Sequence, residues 1–436
     1  MQARTPADLL VEARWVLPVE PHGVTFADAA VAVSAGRIVA VGPRADLAAR
    51  FEPAERIARP HHLLMPGLVN AHTHAAMTLF RGLPARGPLF AWLRDTVWPA
   101  EARWMSPDLV RDGTRLAIAE MIQAGITAFA DMYLFPEEAA RVAAAARVRA
   151  AIGLPIAEAA TAWAGDATAC LARAEALWDE YRADPWVTLH FAPHAPYSVS
   201  DDTLQRVQRI ADELDARIAM HVHESETEVR DSLAQHGVRP LRRLADRGLL
   251  RPGFTAVHMT RLDEDDLELT ARTGISVVAC PQSNLRLGNG VAPIAQLLER
   301  GVNVGLGTGG PPSCGALDLL AEARMASLVT GPDAHASLRL ATLGGAIALG
   351  LAHEIGSLEP GKAADFVCVD LGALECQPVG DPADAAVFAA TRRHVTDVWV
   401  AGRALITAGR TLAFDVEELR GIAARWDARL RLEAAA

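Results

Sequence analysis

"LLMPGLVNAHTH", Leu63–His74, is an apolar run that ends in two histidines one residue apart. In a strand, residues i and i+2 point to the same side, so two imidazoles placed there can bind one cation together. Two ordinary polar histidines at a strand end give the same letters, but closing a buried run strengthens the functional reading. Similar runs follow at Ile126–Asp131, Ala150–Ile156, Val187–His194, Arg217–Glu224, Phe254–Met259, Ile275–Cys280 and Val302–Thr308. With the first, they make eight candidate strands. Helical patterns lie between most of them. "SDDTLQRVQRIADELDA" offers a cap and then Leu204, Val207 and Leu214 on roughly one stripe. "SPDLVRDGTRLAIAEMIQAG" starts at Ser106-Pro107 and stops at Gly125. Eight such units over about 280 residues predict a TIM-type (β/α)8 barrel, which typically needs about 250. A doubly wound sheet is the alternative, but no GxGxxG follows the first strand.

Outside this region the pattern is β. "AAVAVSAGRIVAVG" has two Val-rich runs flanking Ala35-Gly36, a hairpin signal. Near the other end, "GKAADFVCVDL" and "VTDVWVAGRALIT" read as short strands with a turn at Gly402. Segments at opposite ends of a chain can pair. The expectation is a small β-sandwich from 1–62 plus 355–436 and a barrel over 63–354.

The 436 residues are 51% hydrophobic and 22% charged, ordinary for a soluble globular protein. No apolar run approaches the roughly 20 residues of a membrane span. The N-terminal stretch carries acidic residues and no signal-peptide core, so a cytoplasmic location is expected. The five cysteines, Cys170, Cys280, Cys314, Cys368 and Cys376, are scattered without a CxxC, against a disulfide framework or thiolate zinc site. A net charge of −11 without a basic run disfavours a nucleic-acid polymer and favours a small soluble substrate.

The polar residues sit at one end of the strands. His72, His74, Asp131, His194, His221, Glu224 and His258 all fall at or just past the carboxyl end of an apolar run. In a barrel that face carries the active site. "AMHVHESE" offers His221 or His223 as a ligand, with Glu224 either a proton shuttle or a cap of the next helix. His194 stands between Pro193 and Pro196, which aim its ring. His258, alone on an apolar strand, would ordinarily be a satisfied core residue; four strands ending in histidine argue otherwise. Glu101 reads as a helix-start acid, and Arg81 and Arg86 as solvated loop charges. The chemistry that fits is metal-assisted hydrolysis, because zinc lowers the pKa of bound water to about 7. The fourth strand ends in His194, with no lysine or carboxylate to bridge two ions, so one metal is expected.

As an ordered set, "PGLVNAHTHAAMTLFRG", "APHAPYSV", "HVHESETEV", "AVHMTRL", "CPQSNLRL", "GALDLLAEARMASLV", "ATLGGAIALGL" and "IGSLEPGKAADFVCVD" resemble the amidohydrolase superfamily. Within it the chain is most similar to the 5'-methylthioadenosine/S-adenosylhomocysteine deaminase branch, over nearly its whole length. The resemblance implies a barrel with a terminal β-sandwich and one divalent metal, zinc with iron(II) as the alternative. It implies metal ligands at His72, His74 and His221, setting His223 aside. It gives Glu224 the proton shuttle and a purine contact, His258 a place beside the attacking water, and His194 a substrate contact. Glu101 would hold the ribose hydroxyls. The implied reaction is attack of water at C6 of an adenine ring with loss of ammonia, in a homo-oligomer, dimer or tetramer. A hydrolase for another heterocycle, guanine or triazine, is the alternative within enzymes.

One departure stands out. The family pattern at the end of strand eight is Gly-Thr-Asp-Gly, and this chain has Gly307-Thr308-Gly309-Gly310. The family's aspartate is a metal ligand and helps deprotonate water. Ala279 likewise stands where relatives commonly have histidine. Two outcomes follow from the missing carboxylate. Either three histidines and Glu224 sustain a reduced activity, or the chain is an inactive binding homologue. Asp318 and Cys314 are nearby groups that do not obviously replace it.

Overall fold

The structure, a computed structural model, describes residues 4–85 and 87–434. Its strands fall into two eight-stranded sheets. The first comprises β1 (Thr5–Val16), β2 (Phe26–Ser34), β3 (Arg37–Pro43), β4 (Phe51–Pro66), β13 (Phe366–Asp370), β14 (Val395–Val400), β15 (Arg403–Thr407) and β16 (Arg410–Thr411). The second comprises β5 (Leu68–Thr73), β6 (Ile126–Asp131), β7 (Arg149–Ile156), β8 (Val187–Pro193), β9 (Arg217–Val222), β10 (Phe254–His258), β11 (Ser276–Ala279) and β12 (Asn303–Leu306).

In the terminal sheet the order is β16-β15-β14-β13-β4-β1-β2-β3. The two chain ends join where β4 runs antiparallel to β13, with Leu64 opposite Cys368. Ala35 and Gly36 both have positive φ between β2 and β3, as a two-residue hairpin matching the strand twist requires. Alternation places Val11, Val31, Ile38, Phe366 and Trp399 in one core, while Leu10, Ala30, Ala40 and Phe51 pack on the opposite face. The sheet is therefore apolar on both faces.

The second sheet is the predicted barrel. Its strands run β5 to β12 in sequence order, and every pair from β7 to β12 is parallel. "ITAFAD" of β6 and "FTAVH" of β10 are buried at every position, as strands covered on both faces must be. Closure comes from Thr73, which bridges Gly309 in parallel, and from the His72 carbonyl, which accepts N–H bonds from Thr308 at 3.0 Å and Gly309 at 3.1 Å. Gly307 is needed at this seam, because a Cβ there would lie 2.7 Å from His72 Cβ.

The expected bounds of the first barrel strand need correction. Leu63–His74 is not one strand: Leu63–Pro66 ends β4 in the terminal sheet, and the barrel strand starts at Leu68. Gly67 separates them, with Thr127 Oγ1 only 2.1 Å from where its Cβ would be. The chain forms two compact units. One comprises Met1–Asn70, Glu120–Ala128 and Asp318–Phe414, and the other Ala71–Ala119, Phe129–Leu317 and Asp415–Ala436. The helix Val416–Ala434 falls in the second unit, where Trp426 Nε1 donates to Asp112 at 2.9 Å and Arg115 pairs with Glu418 at 2.6 Å.

Both helices read from the sequence are present, at Pro107–Gln123 and Asp201–Glu213, the latter capped by Ser200. None of the five cysteines is in a disulfide, and all are buried. No helix among the described residues is long and apolar enough to cross a membrane.

Candidate active site

Histidines from four barrel strands and their following turns converge at the carboxyl face. The ring nitrogens are sorted by their partners. His221 Nδ1 lies 2.7 Å from the His194 carbonyl, and His74 Nδ1 lies 2.6 Å from the Met132 carbonyl. A carbonyl only accepts, so each Nδ1 carries the proton and each Nε2 keeps its lone pair. His258 Nδ1 is likewise 2.8 Å from Asn284 Oδ1. His72 Nε2 and His221 Nε2 face each other at 3.2 Å. His72, His221 and His258 each offer a ligand atom, all within 4.8 Å of one another. His74 stands beside this group, its ring centroid 4.9 Å from that of His72 and 5.5 Å from that of His221. His194 is 5.1 Å from His221, with Nδ1 on Ser198 Oγ at 2.9 Å. The tightest triad thus contains His258, which the resemblance placed beside the water, and not His74.

Burial, then the neighbouring imidazoles, holds His72 and His221 well below the ordinary histidine range. Burial also brings His74, His194 and His258 to about 4. His74, His221 and His258, neutral and with their Nδ1–H groups fixed by second partners, join His72 in a donor set suited to a divalent cation. Asp131 belongs to that support. Its Oδ1 accepts the Ala75 N–H at 2.7 Å, bracing the turn after His74, and burial pushes its carboxyl up to about 7.

His223 is excluded by its own bonds. Leu241 N–H donates to its Nε2 at 3.0 Å, and its Nδ1 meets the Arg261 carbonyl at 3.0 Å. No ring lone pair is left for a metal. Its φ of +52° breaks the strand alternation that would have turned it beside His221.

Glu224 is not the helix cap, since Ser225 caps Glu226–His236. Its Oε1 accepts from Asn289 Nδ2 at 3.2 Å and lies 3.5 Å from His258 Nε2. Burial pushes its carboxyl up to about 8, against the pull of Asn289. The backbone behind it is held by Glu228, whose oxygens accept the N–H groups of His223 at 2.9 Å and Glu224 at 2.8 Å. Thr260 Oγ1 sits 2.9 Å from the Glu224 carbonyl and 3.1 Å from the Asn289 carbonyl, tying the two loops together.

Glu101 lies in the helix Trp98–Trp104, half-buried, and accepts from Tyr133 OH at 2.8 Å. Burial brings its carboxyl to about 7, with Tyr133 acting against it. Arg81 is exposed, and Arg86 lies outside the described residues. At strand eight, Gly309 has a φ of +70° and no side chain to offer. Asp318 caps the helix Leu319–Thr330 through Ala321 N–H at 3.1 Å, and Cys314 is absent from the ligand group. Ala279 passes its carbonyl to Gly307 N–H at 2.9 Å.

Tyr133, Asn284, Asn289 and Glu228 were not singled out in the sequence. Each acts on a residue from a different loop or turn, except Glu228, which acts within its own loop, and no spacing rule marks such pairs.

The amidohydrolase family model matches residues 63–405, and a bacterial imidazolonepropionase-like composite domain matches 29–51. A protein from Teredinibacter turnerae named 5-methylthioadenosine/S-adenosylhomocysteine deaminase is 42% identical over 99% of each chain. The crystal structure of an adenosine deaminase from Xanthomonas campestris with bound zinc has 46% identity and a TM-score of 0.97, covering 99% of this chain and 100% of its own. A mutant atrazine chlorohydrolase from Arthrobacter aurescens, complexed with zinc and atraton, has a TM-score of 0.89 at 23% identity, covering 96% of this chain and 99% of its own; that likeness speaks to the fold.

Proposed function

The chain belongs to the amidohydrolase family, and from that premise we propose that it is a metal-dependent hydrolytic deaminase of adenosine-type nucleosides. Its substrates would be S-adenosylhomocysteine, 5'-methylthioadenosine and adenosine, with ammonia released from C6. The observation that carries this reading is the pair of facing Nε2 atoms of His72 and His221 with a buried carboxyl, Glu224, on the adjoining His258.

We assign the metal to His72, His74 and His221. His258 is left out because its Nε2 already faces Glu224 at 3.5 Å, whereas His74 has only its Nδ1 engaged. A zinc ion there supplies Lewis acidity that makes water acidic enough to lose a proton near neutral pH. Imidazole ligands would serve iron(II) as well.

The remaining chemistry belongs to the chain. Glu224 holds a proton up to about pH 8, so it can donate that proton to the purine ring and then accept one from the attacking water. His258 orients Glu224, and Asn284 fixes the tautomer of His258. His194 is assigned to the substrate. Glu101, backed by Tyr133, is assigned to the ribose hydroxyls, a role that would favour a nucleoside over a free base.

Five buried cysteines outside any disulfide fit a reducing cytoplasm, where we place the enzyme as a homo-oligomer acting on a small soluble substrate. Gly309 favours a second reading, an inactive binding homologue, because strand eight brings no carboxylate to the metal. Ammonia release from the three nucleosides by the zinc-loaded chain tests the proposal. Turnover supports it; silence at full zinc occupancy, with nucleoside still bound, supports the second reading.

A further inference from the structure

The glycines at the barrel seam lie against the histidines. A Cβ at Gly307 would be 2.7 Å from His72 Cβ, and one at Gly310 would be 3.4 Å from His74 Cδ2. Gly309, between them, faces something else. Its Cβ position meets Ser283 Oγ at 3.3 Å, Ser283 Cβ at 3.4 Å and Ser313 Oγ at 3.8 Å. Both serines are buried. Ser283 Oγ lies 2.8 Å from Ser313 Oγ, which in turn lies 3.0 Å from the Gly310 carbonyl. The next residue, Asn284, gives its Oδ1 to His258, and its buried Nδ2 has no protein acceptor. Hydrogen-bond donors therefore gather on the strand-eight side of the imidazoles.

Charge points the same way. Among the described residues, the group able to hold an ion is three imidazoles without a carboxylate. Exchanging His258 for His74 leaves the ligands equally neutral. A divalent ion there would keep its full charge in a buried site, a costly state unless an anion joins it.

We propose that this centre binds a small monoanion of formate size, seated over Gly309 and held by the Ser283 hydroxyl. Ser313 can keep its bond to the Gly310 carbonyl, so only the Ser283 proton has to turn. The walls stand 3.3–3.4 Å from a Cβ position, so the anion has to be the smallest carboxylate, without an alkyl group. The proposal rests on the metal-binding part of the reading above and is independent of which nucleoside is used.

The test uses the full chain loaded with cobalt(II), whose visible absorption responds to a change of ligand. Metal content is measured first by elemental analysis. Sodium formate is then titrated at constant ionic strength. The expected result is a saturable spectral change in the millimolar range. Ser283→Ala should weaken formate binding about tenfold, the effect of losing one hydrogen bond to a charged group. Gly309→Asp should keep cobalt and lose the response, because its own carboxylate takes the place. If that variant does not fold, Ser283→Ala decides alone. An unchanged spectrum in the parent protein with one cobalt per chain overturns the anion site and leaves the deaminase reading intact. Unchanged formate affinity in Ser283→Ala overturns the seat over Gly309. Failure to take up cobalt overturns the metal assignment and the anion site together.

Discussion

His72 Nε2 and His221 Nε2 face each other at 3.2 Å, with the opposite nitrogen of His221 already bonded to the His194 carbonyl. Burial and mutual proximity keep both rings neutral. The lone pair of His221 Nε2 therefore requires a proton or a cation between the two nitrogens. Removing either ring should abolish metal retention. His74→Ala should do the same, while His258→Gln should retain one ion per chain and lose turnover. Elemental analysis after dialysis separates the cases. Metal kept by His74→Ala but lost by His258→Gln would make the tighter triad the donor set.

Glu224 is the group expected to move the proton. Glu224→Gln should lower kcat by about 10²–10⁴-fold with metal content unchanged. Asn289→Ala removes the hydrogen bond that opposes the rise in the Glu224 pKa. The Glu224 limb of its pH–rate profile should therefore move to higher pH. A profile identical to the parent's would show that Asn289 plays no part in tuning Glu224.

Glu228 supports the same loop from behind. Glu228→Ala leaves the buried N–H groups of His223 and Glu224 without acceptors. Each orphaned donor costs about 1–3 kcal/mol, so a loss of roughly 2–6 kcal/mol is expected. Glu228→Gln keeps one acceptor and should lose about half as much. Chemical denaturation of the two variants checks the ratio.

Glu101 carries a pH signature. Its ordinary value is 4.5, and burial lifts it to about 7. Over that window the folded protein keeps a proton that the unfolded chain has released. The contribution of this group to stability is therefore present below about pH 4.5, falls as the pH rises, and is lost above about 7. Glu101→Gln should melt with the parent at low pH and a few degrees above it at about pH 8. The same variant should weaken adenosine more than adenine. Equal weakening would remove the ribose argument.

Gly309→Asp is expected to restore a carboxylate to the metal and raise turnover. The left-handed backbone at this position, with a φ of +70°, costs a side chain about 1–3 kcal/mol. Gly309→Ala should show the same loss of stability without the gain. Equal rates for Gly309→Asp and the parent at full zinc occupancy would count against a role for that carboxylate.

Much of this arrangement can be read from letters because barrel strands are buried on both faces. Any polar residue at their carboxyl ends is then conspicuous, as with His72, Asp131 and His258. The limits are equally physical. Leu63–Pro66 and Leu68–Thr73 are both buried throughout and separated only by Gly67, and composition does not say that they belong to different sheets. His221 and His223 share a strand parity, and only a left-handed turn at His223 separates them. Asn284, Asn289 and Tyr133 acquire their roles from partners on other loops, a relation that no local pattern encodes.

The carbonyl of His72 receives the last amide bonds that close the barrel, while its ring belongs to the candidate metal centre. On a growing chain, β5 emerges long before the segment that meets it, and such distant pairing is slow. Metal capture should therefore be a late event in biogenesis. A ribosome-bound chain halted before Thr308 would hold all its histidine ligands yet lack the seam that sets the first of them. Such an intermediate should exchange its ion freely, and completion of the eighth strand should be the step that makes retention durable.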